Sequence, residues 1–243
     1  MLISHKNRFI FIHMYKTAGT SVMDVFLPYC RLVDRMAYEF RVSRKLFGMI
    51  GHSMGWDDDG MKQFTGYHQH ATANEIRMKM GSDIFDPYFK FTFVRNPFDF
   101  LVSLYFYIAQ SKNHRFHKQV VDMGFSEFLN WYTMRRPQRQ LDFVVEPQSN
   151  HLLVNYIGRF ETLEKDVAVI QEKLVIKSKS NITHRNPSRN RKGRDYREYY
   201  DEKDRSLVEN YFHMDLTQFG YDFNGFREEI PIMKSANPMQ IKS

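Results

Sequence analysis

The sequence predicts a single α/β domain with a central parallel sheet flanked by helices. Short continuous apolar runs recur, each ending in a polar turn, and each is followed by apolar residues at helical spacing. Strands alternating with helices imply a parallel sheet. The 243 residues lie near the upper end of ordinary single domains. We assign residues 1–230 to the domain and 231–243 to a flexible tail.

Taken in order, Phe9-Ile10-Phe11-Ile12 reads as a strand buried on both faces. The loop from Met14 to Ser21 follows, and Val22, Val25, Phe26 and Tyr29 then mark a helix. Residues 31–66 show no clean period. Thr72 followed by Glu75 forms a capping-box pattern, opening a short helix that ends at Gly81 and placing His68 and His70 just before it. Lys90 to Val94 reads as a strand with Arg95 at its end, Asn96 as N-cap and Pro97 at the first helical position. Phe125–Tyr132 suggests a further helix. A strand over Asn155–Arg159 leads into a helix carrying Leu163, Val167, Ile170 and Leu174. Lys177 to Arg197 is basic and turn-rich, a long surface loop, and Asp201–Phe212 reads as the final helix.

Composition narrows the partners. A net charge of +7 favours something negative without distinguishing nucleic acid, membrane, nucleotide or acidic sugar. With Cys30 as its single cysteine the chain cannot form an internal disulfide, which fits a reducing compartment. The ten histidines show no HExxH spacing, so no metal site is expected. No apolar run approaches the roughly twenty residues that span a bilayer. Met1 to Phe11 is too short for a signal core, and the expected location is the cytoplasm.

The first loop has the features of a phosphate cradle. A buried strand feeds a turn containing Gly19, where backbone amides and a helix N-terminus can surround an anion. Lys16, Thr17, Thr20 and Ser21 add a cation and three hydroxyls. The nucleotidase motif GxxxxGK[ST] is absent, because Lys16 precedes Gly19. Val94 is followed by Arg95, where such an enzyme carries a magnesium carboxylate. That substitution points to metal-free transfer, with Arg95 and Ser103 jointly holding a second phosphate. The competing reading is a structural ion pair for Arg95 and a plain helix serine for Ser103.

At these residues the chain resembles a known family. His13-Met14-Tyr15-Lys16-Thr17-Ala18-Gly19-Thr20-Ser21 is similar to the 5′-phosphosulfate loop of sulfotransferases that use 3′-phosphoadenosine-5′-phosphosulfate (PAPS). Phe93-Val94-Arg95-Asn96-Pro97 through Ser103 resembles their 3′-phosphate motif. Tyr67-His68-Gln69-His70 is similar to the paired-histidine segment of the heparan sulfate 2-O-sulfotransferase branch, and the stretches from Tyr156 to Leu163 and from Tyr196 to Phe223 resemble the soluble bacterial members of that branch. Tyr15 departs from the usual proline and Phe100 from a common arginine.

The resemblance implies a P-loop-nucleotide-kinase-like sulfotransferase fold, PAPS as co-substrate, adenosine 3′,5′-bisphosphate as product and no metal. Lys16, Thr17, Ala18, Gly19, Thr20 and Ser21 would surround the 5′-phosphosulfate, and Arg95 and Ser103 the 3′-phosphate. Arg185, Lys192 and Gly193 would reach the 3′-phosphate from the basic loop. His70 would take the acceptor proton, with His68 sharing that role or orienting the acceptor, and Lys16 would neutralise the leaving group. The implied acceptor is a hydroxyl on a polar or anionic carbohydrate, and Arg135, Arg136 and Arg139 form a candidate contact cluster for it. Two rivals stay open. A P-loop kinase would lose activity in chelator. A nucleic-acid-binding protein would show steep salt dependence untouched by the bisphosphate; no nucleic-acid signature appears in the chain.

Overall fold

The computed structural model describes residues 1–32, 35, 66–176, 182 and 193–227. Four strands form its main sheet in the order β1-β2-β3-β4: Leu2–Ser4, Phe9–Ile12, Phe89–Val94 and Tyr156–Arg159. β2, β3 and β4 run parallel, with Phe11 beside Phe91 and Phe91 beside Tyr156. β1 adds an antiparallel edge strand to the expected central parallel sheet. It pairs antiparallel with β2, because only four residues separate them and so short a turn can join strands only as a hairpin.

Side chains alternate across these strands, and both faces are covered. Phe9, Phe11, Phe91 and Phe93 share one cluster with α1 (Gly19–Phe26) and the helix Leu163–Lys173. Ile10, Ile12 and Val94 face a second, larger cluster. Burial on both sides is why the strands read as unbroken apolar runs. Phe11 stacks on Phe91 at 5.3 Å, and Phe26 meets Phe91 at 5.0 Å. Gly158 on β4 makes room for this layer, since a Cβ there would lie 2.5 Å from the Phe93 ring.

The second face is built by α2 (Ala73–Met80), α3 (Ser82–Phe85), α4 (Pro97–Gln110), α5 (His117–Val120) and α6 (Phe125–Met134). Local signals place the starts of α2 and α4. Thr72 and Glu75 form the reciprocal capping box. Asn96 accepts from Phe98 N–H at 3.0 Å, ahead of Pro97.

After α7 (Leu163–Lys173), the chain forms α8 (Glu202–Tyr211) and α9 (His213–Phe219), then a hairpin of β5 (Tyr221–Asp222) and β6 (Gly225–Phe226). The expected final helix is therefore followed by another, because the backbone turns at Phe212 and Phe212, Leu216 and Phe219 pack into the core. Asn96 Nδ2 donates to the carbonyls of Asp222 and Gly225, tying this hairpin to the base of α4. The proposed tail, 231–243, lies outside the described residues, as does most of the basic loop. No helix among the described residues is long and apolar enough to cross a membrane.

Candidate active site

The loop between β2 and α1 carries two non-glycine residues in the left-handed region, Lys16 at φ 56° and Ala18 at φ 60°. Such backbone costs about 1–3 kcal/mol per residue and collects at ligand-holding turns. Gly19 plays a different part from the one its sequence position suggests, because it is not among the residues at positive φ. A Cβ on Gly19 would stand 1.7 Å from His13 Nε2, so the missing side chain is what admits the buried imidazole.

Ala18 supplies no side-chain cap to α1, and the first turn holds no acidic residue. The amides of Gly19, Thr20 and Ser21 thus lie at the helix's positive end, with no side-chain cap and no first-turn carboxylate. Thr17 is fully buried and its hydroxyl donates to the Met14 carbonyl at 3.3 Å, bracing the turn. A strand feeding an uncapped helix N-terminus in this way is a ready anion cradle.

Lys16 sends its ammonium over the Tyr107 ring, 4.4 Å from the centroid. Burial, followed by the nearby Arg95 charge, lowers its pKa to about 8. The ring face acts in the opposite direction, since it favours the cation.

Arg95 is buried at the end of β3 and stacks 4.1 Å over Phe160. Its Nε donates to Asp99 Oδ2 at 2.7 Å, Nη2 lies 2.7 Å from the same oxygen, and Nη1 donates to the Lys16 carbonyl at 3.1 Å. The ion-pair alternative is thus present, and the Lys16 contact ties the end of β3 to the loop after β2. A guanidinium has five N–H donors, and three of them are engaged in these contacts among the described residues. Gln140 clamps the Arg95 backbone, accepting from its N–H and donating to its carbonyl, each at 2.8 Å. Asp215 in turn accepts from the amides of Gln140 and Leu141, and burial pushes its carboxyl up to about 6. Ser103 is buried two turns along α4 from Arg95.

His70 is held from three sides. Its ring stacks on Tyr15 at 3.8 Å, lies 4.6 Å from the His13 ring, and its Nδ1 donates to the His13 carbonyl at 2.9 Å. A carbonyl can only accept, so in the neutral imidazole Nδ1 carries the proton and Nε2 the lone pair. His68 has the reverse arrangement. Its Nδ1 accepts from the His70 amide at 3.2 Å, which puts the neutral ring's proton on Nε2.

His68, His70, Tyr15 and Tyr107 line a cavity of about 1350 Å³. Arg135 lines it too, whereas Arg136 and Arg139 do not. Arg139 is spent on Asp142 through Nε at 3.2 Å and Nη2 at 2.9 Å. Gly193 stands in the left-handed region at φ 75°, exposed; Arg185 and Lys192 lie outside the described residues. Asn155 and Glu161 are used structurally, accepting from the amides of Lys90 and Asn96. No cluster of three or more potential metal ligands occurs among the described residues.

Sequence reasoning missed Tyr15, Tyr107, Gln140 and the His13 carbonyl as positioning groups. Tyr15 alone left a trace, as a departure from the usual proline.

An α/β fold with an uncapped helix N-terminus after β2, a cation at the neighbouring strand end and an oriented imidazole lining a cavity is suited to group transfer. The chain belongs to the sulfotransferase family, whose family model matches residues 1–222. It is 35% identical over 104 residues to an uncharacterized protein of Archaeoglobus fulgidus, an alignment covering 41% of this chain and 78% of that one. No solved structure matches the chain. Membership makes this a sulfuryl-transferring enzyme with a hydroxyl-bearing acceptor.

Proposed function

We propose that the donor is PAPS, that the acceptor is a carbohydrate hydroxyl and that His70 is the base. The observation that carries this reading is the hydrogen bond from His70 Nδ1 to the His13 carbonyl, which in the neutral ring puts the proton on Nδ1 and the basic lone pair on Nε2 of a residue that lines the cavity. The cradle residues fit the donor's anionic groups, with backbone amides from Thr17 to Thr20, hydroxyls at Thr20 and Ser21, and the Lys16 charge. Arg95 and Ser103 fit its 3′-phosphate, together with Arg185, Lys192 and Gly193 from the basic loop.

When bound, PAPS supplies a sulfuryl group already activated by its phosphate leaving group. His70 Nε2 takes the acceptor's proton as the hydroxyl oxygen bonds to sulfur. Histidine suits this step because its ordinary pKa lies near neutrality, and a positioned base contributes about 10² to 10⁴ in rate. Lys16 holds positive charge at the loop, where negative charge collects on the departing phosphate oxygen. His68, donating through Nε2, orients the acceptor. The single Cys30 suits a reducing compartment, and we place the reaction in the cytoplasm.

The test is thermal stabilisation by nucleotides. Adenosine 3′,5′-bisphosphate should raise Tm more than ADP at equal concentration, and Arg95→Ala should flatten the difference. Equal stabilisation by ADP or ATP, dependent on magnesium, would instead favour a P-loop kinase.

A further inference from the structure

Asp215 does not line the cavity, yet its two oxygens hold a turn that reaches both halves of the site. It is fully buried in the first turn of α9. Oδ2 accepts from the Gln140 amide and Oδ1 from the Leu141 amide, each at 2.9 Å. These amides open the 3₁₀ turn Leu141–Phe143. Before the turn, Gln140 grips the N–H and carbonyl of Arg95 at 2.8 Å, and Arg95 Nη1 donates to the Lys16 carbonyl. At its far end Phe143 meets the Tyr15 ring edge to face at 6.1 Å, and Tyr15 lies 3.8 Å from the His70 ring. Gln140, Phe143, Tyr15 and His70 all line the cavity.

A three-residue turn needs no buried charge to cap it, since Ser, Thr or Asn can serve. Asp215 is ionised at neutral pH even though burial raises its carboxyl to about 6, and no side chain donates to it among the described residues. Arg139 lies near enough to act on its charge but pairs with Asp142. Burying such a group is costly, and what it provides is two charge-assisted bonds from one rigid carboxylate, stronger than those of a neutral cap. Both go to main-chain amides, so they fix the place of the turn itself and not the rotamer of one side chain.

We infer that Asp215 is a positioning residue: it sets the Leu141–Phe143 turn so that Arg95, through Gln140, and His70, through Phe143 and Tyr15, keep their places relative to one another. This role rests on the sulfuryl-transfer reading above, with the donor's 3′-phosphate at Arg95 and the acceptor proton at His70. In-line attack on sulfur needs donor and base in one register. A displacement of about 1 Å set up far from the chemistry can cost on the order of 10²-fold in rate.

The experiment uses Asp215→Asn, which keeps the size and one acceptor oxygen but removes the charge. Calorimetry compares adenosine 3′,5′-bisphosphate with AMP, which differs only in lacking the 3′-phosphate. The preference for the bisphosphate should fall about tenfold while AMP affinity changes by no more than about twofold. Single-turnover transfer from labelled PAPS to a mixture of neutral and uronic-acid hexasaccharides should slow by about tenfold or more. Gln140→Met should reproduce the nucleotide effect and Phe143→Leu the rate effect, and these two carry the test where Asp215→Asn does not fold. A loose fold alone would lower Tm and weaken both nucleotides alike. That result overturns the role, as does an intact preference in Gln140→Met or an intact rate in Phe143→Leu. A wild-type protein that binds the bisphosphate no better than AMP overturns the donor reading instead. Hydrogen exchange then decides for Asp215: faster exchange of the Arg95 amide in Asp215→Asn supports the role, and unchanged exchange overturns it.

Discussion

Lys16 Nζ rests 4.4 Å from the centre of the Tyr107 ring, and Tyr107 stands one helical turn beyond Ser103 on α4. The ammonium is thereby parked between the cradle and the cavity wall. Tyr107 is a positioning residue, acting through Lys16. Removing the ring with Tyr107→Leu should slow turnover several-fold to tenfold, in line with about 0.5–2 kcal/mol for such a contact. Tyr107→Phe keeps the face and should stay close to wild type. The pH profile separates this from a packing effect: without the ring the Lys16 cation is less favoured, so the alkaline limb should move to lower pH in Tyr107→Leu.

The depressed Lys16 pKa carries its own pH signature. Burial first, and Arg95 second, bring it from 10.5 to about 8. Bisphosphate affinity should therefore weaken as pH rises through about 8, because the free protein loses the cradle's charge. Stability moves the other way. Between about 8 and 10.5 the unfolded chain binds the lysine proton more fully than the folded one, so this group's contribution grows with pH across that window. Calorimetric titration and chemical denaturation from pH 7 to 10 check both, and Lys16→Met should remove both trends.

The two histidines should separate cleanly. His70→Ala is expected to lose turnover by about 10² or more while still binding the bisphosphate, because the imidazole acts on the acceptor proton. His68→Ala should cost less, since its Nδ1 is occupied by the His70 amide and its neutral ring offers a donor. Single-turnover rates with labelled PAPS make the comparison. A larger loss in His68→Ala would reassign the base.

Gly19→Ala tests the packing of the cradle against its supporting imidazole. The new methyl would fall 1.7 Å from His13 Nε2, and overpacking of this kind typically costs about 1–3 kcal/mol. Since the His13 carbonyl orients His70, turnover should fall together with Tm. Adding His13→Ala should recover part of the stability and, because the backbone carbonyl survives this substitution, part of the activity. Thermal melts and initial rates of the single and double variants check this.

Local rules made much of the fold legible. Phe9–Ile12 announced a strand buried on both faces, Thr72 with Glu75 a capping box, and Asn96 with Pro97 a helix start, because each depends on residues a few positions apart. The mixed sheet was not legible, because antiparallel pairing of Leu2–Ser4 depends on a four-residue turn that carries no strong signal. The division of the last helix at Phe212 was missed for a similar reason, since core packing sets it.

The same division runs through the site. The sequence by itself determined the chemical types and their order: a lysine-bearing loop after one strand, an arginine ending the next, and two histidines ahead of a capped helix. Only the tertiary structure decided their relations. It set the His13 carbonyl against His70, Tyr107 beneath Lys16, Gln140 around the Arg95 backbone, and Arg115 beside Arg135 on one aromatic ring. It also took Arg139 out of the acceptor cluster by pairing it with Asp142. The physical reason is range. Caps, periodicity and turn chemistry act over a few residues, whereas tautomer, charge state and cavity lining are fixed by partners distant in the chain that meet only once the sheet and its helices have packed.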